Sequence, residues 1–314
     1  MNKTVSVVMC TYNGAKYLRE QLDSIISQTY PIYELIIQDD CSTDGTVAII
    51  KEYIENYSFI KLYVNEHNLG FNLNFKSACM KATGDYVAIS DQDDVWFPQK
   101  IETLVNAIGA HDICFSTHLR GKDINNSIKV SPQYSLEALL FAGFAGHTTL
   151  ANRSLIQTPT NWIDGIIYDW SLEINAQLKN GIVMVEEPLN WHRMHEESAC
   201  TVINKKLFPS QNNTHKYQPY LYGLQNYYRL HRKPKWKMLY SYIIENADPS
   251  LHQPAYNMCK YMLSNNPFSL LLLCFYCLRF RKTIYPSKST HGFSGVMRSF
   301  FYPFIFSYNN GSYE

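Results

Sequence analysis

Asp91-Gln92-Asp93-Asp94 follows the apolar run Tyr86-Val87-Ala88-Ile89-Ser90 and precedes Val95-Trp96-Phe97-Pro98. Acids this close repel one another unless a cation or donor groups neutralise them, and helix capping does not account for Asp91, Asp93 and Asp94 together. Two carboxylates on alternate positions at a strand terminus can share one ligand. One can hold a hydroxyl pair; the other can bind a hard divalent cation that bridges a diphosphate and neutralises charge as it leaves. A bare Asp-x-Asp arises by chance in many chains, but an apolar strand before it and a Trp-x-Pro helix start after it make this one far more specific. Two further apolar runs end in polar or acidic residues: Thr4 to Cys10 ends in Thr11-Tyr12-Asn13-Gly14, and Glu34 to Gln38 ends in Asp39-Asp40.

The elements that must position these residues read as alternating strand and helix. Val5-Ser6-Val7-Val8-Met9 is a continuous β-branched run, as expected of a strand buried on both faces. Tyr17, Leu18, Leu22, Ile25 and Ile26 then recur at helical spacing. After the second strand, Ser42 or Thr43 can cap a helix through Val47, Ile50, Tyr53 and Ile54. Ile60 to Val64 is a third strand, a helix runs from about Asn72 to Ala82, and Tyr86 to Ser90 is a fourth strand. Pro98 opens the next helix. Such units predict a largely parallel sheet covered by helices, with ligands beyond the carboxyl ends of the strands. Farther along, Ile113 to Ser116 and Ile182 to Val185 read as strands, Leu136 to Ala142 as a short helix, and Asp123 to Ser127 as an exposed turn.

The chain has 314 residues, 46% of them apolar and 18% charged, which excludes a disordered or highly charged scaffold. No stretch approaches 18 uninterrupted apolar residues, which excludes a polytopic membrane protein. Net charge is only +1, but residues 1–200 carry 14 Lys/Arg against 24 Asp/Glu, while residues 201–314 carry 14 against 3. Either the basic half meets an anionic partner such as a membrane surface, or the two halves neutralise each other. From about residue 205 the chain is aromatic, basic and helical in character, with apolar clusters at 267–280 and 300–306 beside basic residues. That pattern fits a surface lying on a membrane and equally a helical subdomain core. Eight cysteines do not make a disulfide framework, and Met1-Asn2-Lys3-Thr4 leads into a strand without a signal peptide, so a reducing cytosol is the expected compartment. Cys274 and Cys277 form a C-x-x-C in an apolar run and read as packed thiols ahead of a zinc or redox pair.

Four ordered motifs carry a resemblance: Val5 to Asn13; Gln28-Thr29-Tyr30; Glu34 to Thr46; and Gly84 to Trp96. Together they resemble a family 2 glycosyltransferase over residues 4 to about 110, more weakly to about 200. Ser90-Asp91-Gln92-Asp93-Asp94-Val95-Trp96 is similar to the branch of rhamnosyl- and galactosyltransferases of bacterial surface polysaccharides. The fold implied is α/β of the GT-A type: a Rossmann-like, mostly parallel central sheet flanked by helices, with a helical C-terminal region. The organisation implied is a catalytic domain over 1–204, with a nucleotide-sugar half to about 110 and an acceptor half over 111–204, followed by the C-terminal region over 205–314.

The resemblance also assigns roles. Tyr12 would contact the nucleoside, with Cys10 and Thr11 nearby. Asp40 would accept a hydrogen bond from the ring N–H of uracil or thymine, a donor that cytosine lacks. Asp91 would hold the ribose, Asp93 a divalent Mn or Mg ion, and Asn68 and Gly70 would shape the donor pocket. Asp39, Asp44 and Asp94 would be orienting or structural acids. Inversion needs a carboxylate to take the acceptor proton, and Asp169 in Tyr168-Asp169-Trp170 occupies that place, with Asp164, Glu173, Glu186 and Glu187 as fallbacks. As a bare sequence feature, Asp169 also reads as a helix cap. In Trp191-His192-Arg193-Met194-His195, Arg193 would pair with phosphate and His195 would complete the metal shell or bind the diphosphate. His147 would contact sugar or sit in a loop packed under the sheet.

The activity implied is inverting transfer from a UDP- or dTDP-sugar to a glycan or lipid-linked glycan acceptor; the basic, Phe-rich residues 205–314 either dock at the inner face of the cell membrane or only pack on the catalytic domain. The alternative is a non-catalytic protein that binds sugar nucleotides or polysaccharide on the same scaffold. Thr-Tyr-Asn-Gly after the first strand, in place of G-x-G-x-x-G, argues against a dehydrogenase, and no motif supports a nucleic-acid partner.

Overall fold

The computed structural model describes residues 3–196, 198, 218–285, 291–308, 310 and 313. They divide into two compact units. The first comprises Met1–Ser131, Ala145–Trp162 and Lys179–Met194; the second comprises Pro132–Phe144, Ile163–Leu178 and His195–Glu314. The segments 132–144 and 163–178 thus group with the C-terminal helices, and the expected boundary at 204/205 lies outside the described residues.

The first unit is built on one sheet. Its strands are β1 (Val5–Thr11), β2 (Glu34–Asp39), β3 (Ile60–Val64), β4 (Tyr86–Ser90), β5 (Val95–Trp96), β6 (Ile113–Gly121), β7 (Ile128–Val130), β8 (Thr149–Asn152) and β9 (Ile182–Arg193). They lie in the order β3-β2-β1-β4-β8-β6-β9-β5, with β7 on β6. The quartet β3-β2-β1-β4 is parallel, β8 runs antiparallel to both β4 and β6, and β6 and β9 are parallel. Every residue of β2 and β4 is buried, because helices cover a parallel sheet on both faces. Helices α1 (Ala15–Ile26), α2 (Thr46–Asn56), α3 (Phe71–Cys79) and α4 (Lys100–Ala107) supply that cover, with Leu18, Leu22, Ile25, Ile50, Ile101 and Leu104 joining Val5, Val7, Met9, Leu35, Ile37 and Ala88 in one core. Chain order reverses between β1 and β4, which opens a crevice at their carboxyl ends.

Several local expectations shift. Strand β9 runs on to Arg193, well past Val185, because two register shifts near Thr117 let it pass Pro188 and stay paired with β6. Gly45, and neither Ser42 nor Thr43, is the residue before α2. Ser42 instead serves the neighbouring turn, its hydroxyl accepting from Asn13 N at 2.9 Å.

At the opposite end of the sheet, a buried Glu34 joins three strands. It accepts from Ser6 Oγ, Thr83 N, Thr83 Oγ1 and Lys61 Nζ, each at 2.7 Å. Burial opposes its charge, but these bonds outweigh burial and hold the carboxyl down to about 2. A folded-state value below the ordinary 4.5 means the contribution is complete above that pH and is lost as pH falls toward about 2. Thermal unfolding followed from pH 6 to pH 3 is expected to show falling stability in the native chain and a flatter profile in Glu34→Gln. Equal profiles would remove Glu34 from this account.

The second unit is helical. It contains α5 (Leu136–Leu139) and α7 (Tyr168–Gln177), the short α6 (Arg153–Ile156) between them in the chain belonging to the first unit, then Gln218–His231, Pro234–Asn246, Gln253–Leu263, Pro267–Arg279, Gly292–Phe300 and shorter turns. Its centre is aromatic. Tyr240 donates to Leu140 O at 2.7 Å and lies 2.8 Å from the Tyr313 hydroxyl, and Trp236 packs edge-on against Tyr240 at 4.8 Å.

Candidate functional site

The carboxyl ends of β1, β2 and β4 are wired to one another. Register places Thr11 beside Asp39, and Met9 beside Ser90, so Asp91 emerges next to Cys10. Asp39 is consumed structurally: Thr11 Oγ1 donates to it at 2.7 Å, Ser42 Oγ at 2.6 Å and Ser42 N at 2.8 Å. The turns after β1 and β2 clasp each other through Thr43 N to Asn13 Oδ1 at 2.8 Å. Asn13 and Cys41 both take positive φ, at 48° and 66°, a conformation uncommon outside glycine. Asp44 accepts from Ala15 N at 3.1 Å and from Thr46, so it anchors the start of α1 as well as that of α2.

Asp40 is buried and organises the loop before α3. Leu69 N and Asn65 Nδ2 donate to Oδ1 at 2.7 and 2.8 Å, and Gly70 N donates to Oδ2 at 2.9 Å. Asn68 Nδ2 reaches Asp40 O at 3.3 Å, and Asn68 Oδ1 accepts from Gly70 N at 3.0 Å. Gly70 has φ +79°, which glycine tolerates without cost. Asp40, Asn68 and Gly70 therefore form one local unit, and an ionised carboxylate with about four acceptor sites still has room for a further donor on Oδ2.

Gln92 ties the acidic turn to β1. Its Oε1 accepts from Tyr12 N at 2.9 Å and its Nε2 donates to Tyr12 O at 3.1 Å, while the Tyr12 ring stays exposed. A Cβ on Gly14 would stand 2.1 Å from Gln92 Oε1. Because the Gln92 tip can swing away, Gly14→Ala is expected to cost only the two hydrogen bonds, about 1–2 kcal/mol. Freeing the turn should also weaken binding of the nucleotide that the resemblance implies, about tenfold, equivalent to about 1.4 kcal/mol. Thermal melts and calorimetric titration check both, and unchanged affinity would detach Gln92 from ligand binding.

Cys10 senses the convergence. Burial pushes its thiol well above the usual range, and Cys79, Asp91 and Asp40 add to the effect. Asp91 is pushed up to about 7, by burial first and by Asp94 and Asp93 beside it, with His147 pulling the other way. Arg193, at the end of β9, donates through Nε to Asp93 O at 3.2 Å, pairs with Glu20, and stacks over Tyr17 and Trp191 at 4.7 and 4.4 Å.

Asp94 sits behind this turn in a closed cluster. His147 Nδ1 is 2.9 Å from Oδ2, Asn190 Nδ2 3.3 Å from Oδ2, and His192 Nδ1 3.2 Å from Oδ1. The last pair is close without hydrogen-bond alignment, and neither atom has another polar partner. The His147 and His192 rings stack at 4.9 Å, and His118 packs edge-on against His147 at 5.1 Å. Buried Lys100 donates to His147 O at 2.6 Å and lies 4.0 Å over the Trp96 ring. Burial opposes the Asp94 charge, but the two imidazoles outweigh it and hold the carboxyl below the usual range. Burial likewise opposes charge on His192, and Asp94 outweighs it and raises the imidazole. Lys100 is lowered to about 7 and His118 to about 3, both chiefly by burial. Asp94, His147 and His192 each offer a ligand atom within 4.8 Å of the others, a donor set that suits a divalent ion.

Residues 6–163, just over half of the chain, match the profile of Glycosyl transferase family 2. The chain belongs to that family. Relatives of this family 2 glycosyltransferase include EpsE of Bacillus subtilis, named as a glycosyltransferase, at 44% identity over 34% of this chain and 39% of EpsE. TuaG of the same organism, named for a glycosyltransferase of teichuronic acid biosynthesis, is 36% identical over 36% of this chain and 44% of TuaG. The matched stretch thus spans less than half the length of either relative. Among solved structures, S. aureus TarS 1–349 in complex with UDP-GlcNAc superposes with TM-score 0.59 at 17% identity, covering 90% of this chain and 82% of that one. A mannosyltransferase from Pyrobaculum calidifontis, in complex with GDP-Man and Mn2+, superposes with TM-score 0.56 at 18% identity, covering 98% and 86%. At such identities the likeness establishes the GT-A fold.

Of the residues singled out in the family 2 sequence, Cys10, Thr11, Tyr12, Asp40, Asn68, Gly70, Asp91, Asp93 and Arg193 all belong to the first unit, whereas Asp169 and His195 belong to the second. Ile167, not Asp169, is the residue before α7; Asp169 lies in the first turn, with Trp170 N donating to its Oδ1 at 2.8 Å. One turn on, Glu173 is buried and accepts from Phe144 N at 3.0 Å. Burial first, and the Asp169 charge second, push Glu173 well above the usual carboxylate range. Sequence reasoning passed over His192, Asn190, His118 and Lys100. Alternation along β9 was the available signal: Asn190 and His192 share one face, Trp191 and Arg193 the other.

Proposed function

We propose that the chain transfers a sugar, with inversion at the anomeric carbon, from a UDP- or dTDP-sugar to a glycan acceptor in bacterial surface polysaccharide synthesis. The observation that carries this reading is the bonded convergence of Tyr12, Asp40, the 68–70 loop and the Asp91–Asp93 turn at the crevice between β1 and β4. The exposed Tyr12 ring offers a face for the base. Asp40 would accept the ring N–H of uracil or thymine on its remaining lone pair, and Asp91 would take the ribose hydroxyls. Supporting the donor class, TarS was solved with UDP-GlcNAc and the Pyrobaculum enzyme with GDP-Man and Mn2+; supporting the pathway class, TuaG is named for teichuronic acid biosynthesis.

A divalent ion would be held by Asp93, with His195 proposed as second ligand. Asp93 is half-buried, whereas Asp94 is enclosed by two imidazoles, and an ion that meets a diphosphate needs open positions. Such an ion supplies charge stabilisation to the departing nucleoside diphosphate. Asp94, His147 and His192 would keep the acidic turn rigid. Arg193 steadies the Asp93 backbone from the other side. Asp169 would take the proton of the attacking acceptor hydroxyl.

Calorimetric titration with UDP, dTDP and CDP, with and without Mn2+, tests the donor side. UDP or dTDP is expected to bind and CDP to fail. Asp93→Ala is expected to lose the metal-dependent part, about 10- to 100-fold in affinity, equivalent to about 1.4–2.8 kcal/mol. Failure of every pyrimidine diphosphate to bind in the presence of Mn2+ or Mg2+ would end this reading.

A further inference from the structure

The second unit carries an exposed apolar surface. In the helix Pro267–Arg279, Leu270, Leu273, Cys274 and Cys277 are buried. The remaining face is no more polar: Phe268 is 72% exposed, Phe275 51%, and Leu271 and Leu272 are exposed between them. Their spacing of i, i+3, i+4 and i+7 makes one stripe along the helix. The Phe275 ring meets Phe300 edge-on at 5.3 Å, which joins the stripe to the helix Gly292–Phe300. That second helix exposes Phe293, at 81%, and Met297 one turn later. Apolar area this concentrated is a contact surface rather than ordinary scatter.

The stretch of sequence that carries it is basic. No Asp or Glu occurs between Asp248 and Glu314, whereas Lys260, Arg279, Arg281, Lys282, Lys288 and Arg298 do. Arg279 ends the first helix, Lys282 is exposed just beyond it, and exposed Arg298 follows Met297. A second copy of the same face would set like charges against each other. An anionic bilayer would meet both features at once: headgroups for the cations, and the headgroup–acyl boundary for the rings. With 13 residues the helix is about 20 Å long, short of the roughly 30 Å hydrocarbon core, and no helix among the described residues is long and apolar enough to cross a membrane. The helix would lie along the interface.

We infer that the face formed by Phe268, Leu271, Leu272, Phe275, Phe293 and Met297, fringed by Arg279, Lys282 and Arg298, docks on the surface of an anionic lipid bilayer. The inference stands on the second unit alone and is independent of which nucleotide the first unit binds.

Co-sedimentation of the full chain with vesicles tests it. Binding to phosphatidylglycerol-containing vesicles is expected to exceed binding to pure phosphatidylcholine by about tenfold or more and to weaken with added salt. The triple variant Phe268→Ser, Leu271→Ser, Phe275→Ser, and separately Arg279→Glu, Lys282→Glu, Arg298→Glu, should each lose about tenfold or more of that binding. Circular dichroism and UDP titration should stay unchanged in both, since the substituted side chains are on the surface. Equal partition to neutral and anionic vesicles, or wild-type binding by either variant, would overturn the inference. So would a wild-type oligomer in solution that the serine variant dissociates, because the face would then join copies of the chain.

Discussion

Asp169→Asn is expected to cut sugar transfer about 10³-fold while nucleotide affinity stays within about twofold. Asn preserves the side-chain oxygen that accepts from Trp170 N, so the first turn of α7 keeps its local bond. What it lacks is a lone pair basic enough to take the acceptor proton as the hydroxyl attacks. The position suits an anion, since the positive end of the helix dipole lies in that turn. Glu173, one turn later, provides the contrast: enclosed, its carboxyl pushed well above the usual range by burial first and by the Asp169 charge second. On the proposed assignment, these unlike surroundings set the base apart from its neighbour. Glu173→Gln should accordingly leave most of the transfer in place, because neutral glutamic acid and glutamine both accept from Phe144 N. Transfer measured with a saturating donor, beside a nucleotide titration, separates these outcomes. An Asp169→Asn enzyme within about tenfold of wild type would send the search for the base to Asp164, Glu186 or Glu187.

The parts legible in the sequence share a physical cause. Strands β1, β2 and β4 are buried on both faces, so they appear as unbroken apolar runs, and the residues where those runs stop mark the crevice. Strand β9 was legible only in its first third, because Glu186-Glu187-Pro188 ends any simple pattern; only the three-dimensional pairing with β6, through its register shifts, shows that the chain continues as a strand. The acidic turn announced itself as Asp91, Asp93 and Asp94, but the partners that make a buried Asp94 tolerable come from α4, the loop before β8, and the far end of β9. No local spacing links Lys100, His147 and His192. The one local hint, a lysine on the buried face of α4 beside Ile101 and Leu104, reads on its own as a surface residue.

Asp94→Ala is expected to be the most destabilising single change at the site, at about 3–5 kcal/mol, or a fall in melting temperature of roughly 10 °C. The carboxylate is wholly enclosed, and its removal leaves His147, His192 and Lys100 without the anion that compensates them. Beyond the lost bonds, the cost includes the buried Lys100 amine left without the carboxylate that favours its charge. Asp94→Asn should be milder, because the amide oxygen still offers an acceptor to the groups that face Asp94. The decisive comparison is the double variant Asp94→Ala, Lys100→Met. Met follows the lysine stem over the Trp96 ring and carries no charge, so it should restore part of the lost stability even though it gives up the bond to His147 O. If the double variant is less stable than Asp94→Ala by the full cost of Lys100→Met alone, the two residues are uncoupled and the charge argument fails. If the rescue appears, the turn bearing Asp91 and Asp93 is held in place by an ion cluster that the ligand need not touch.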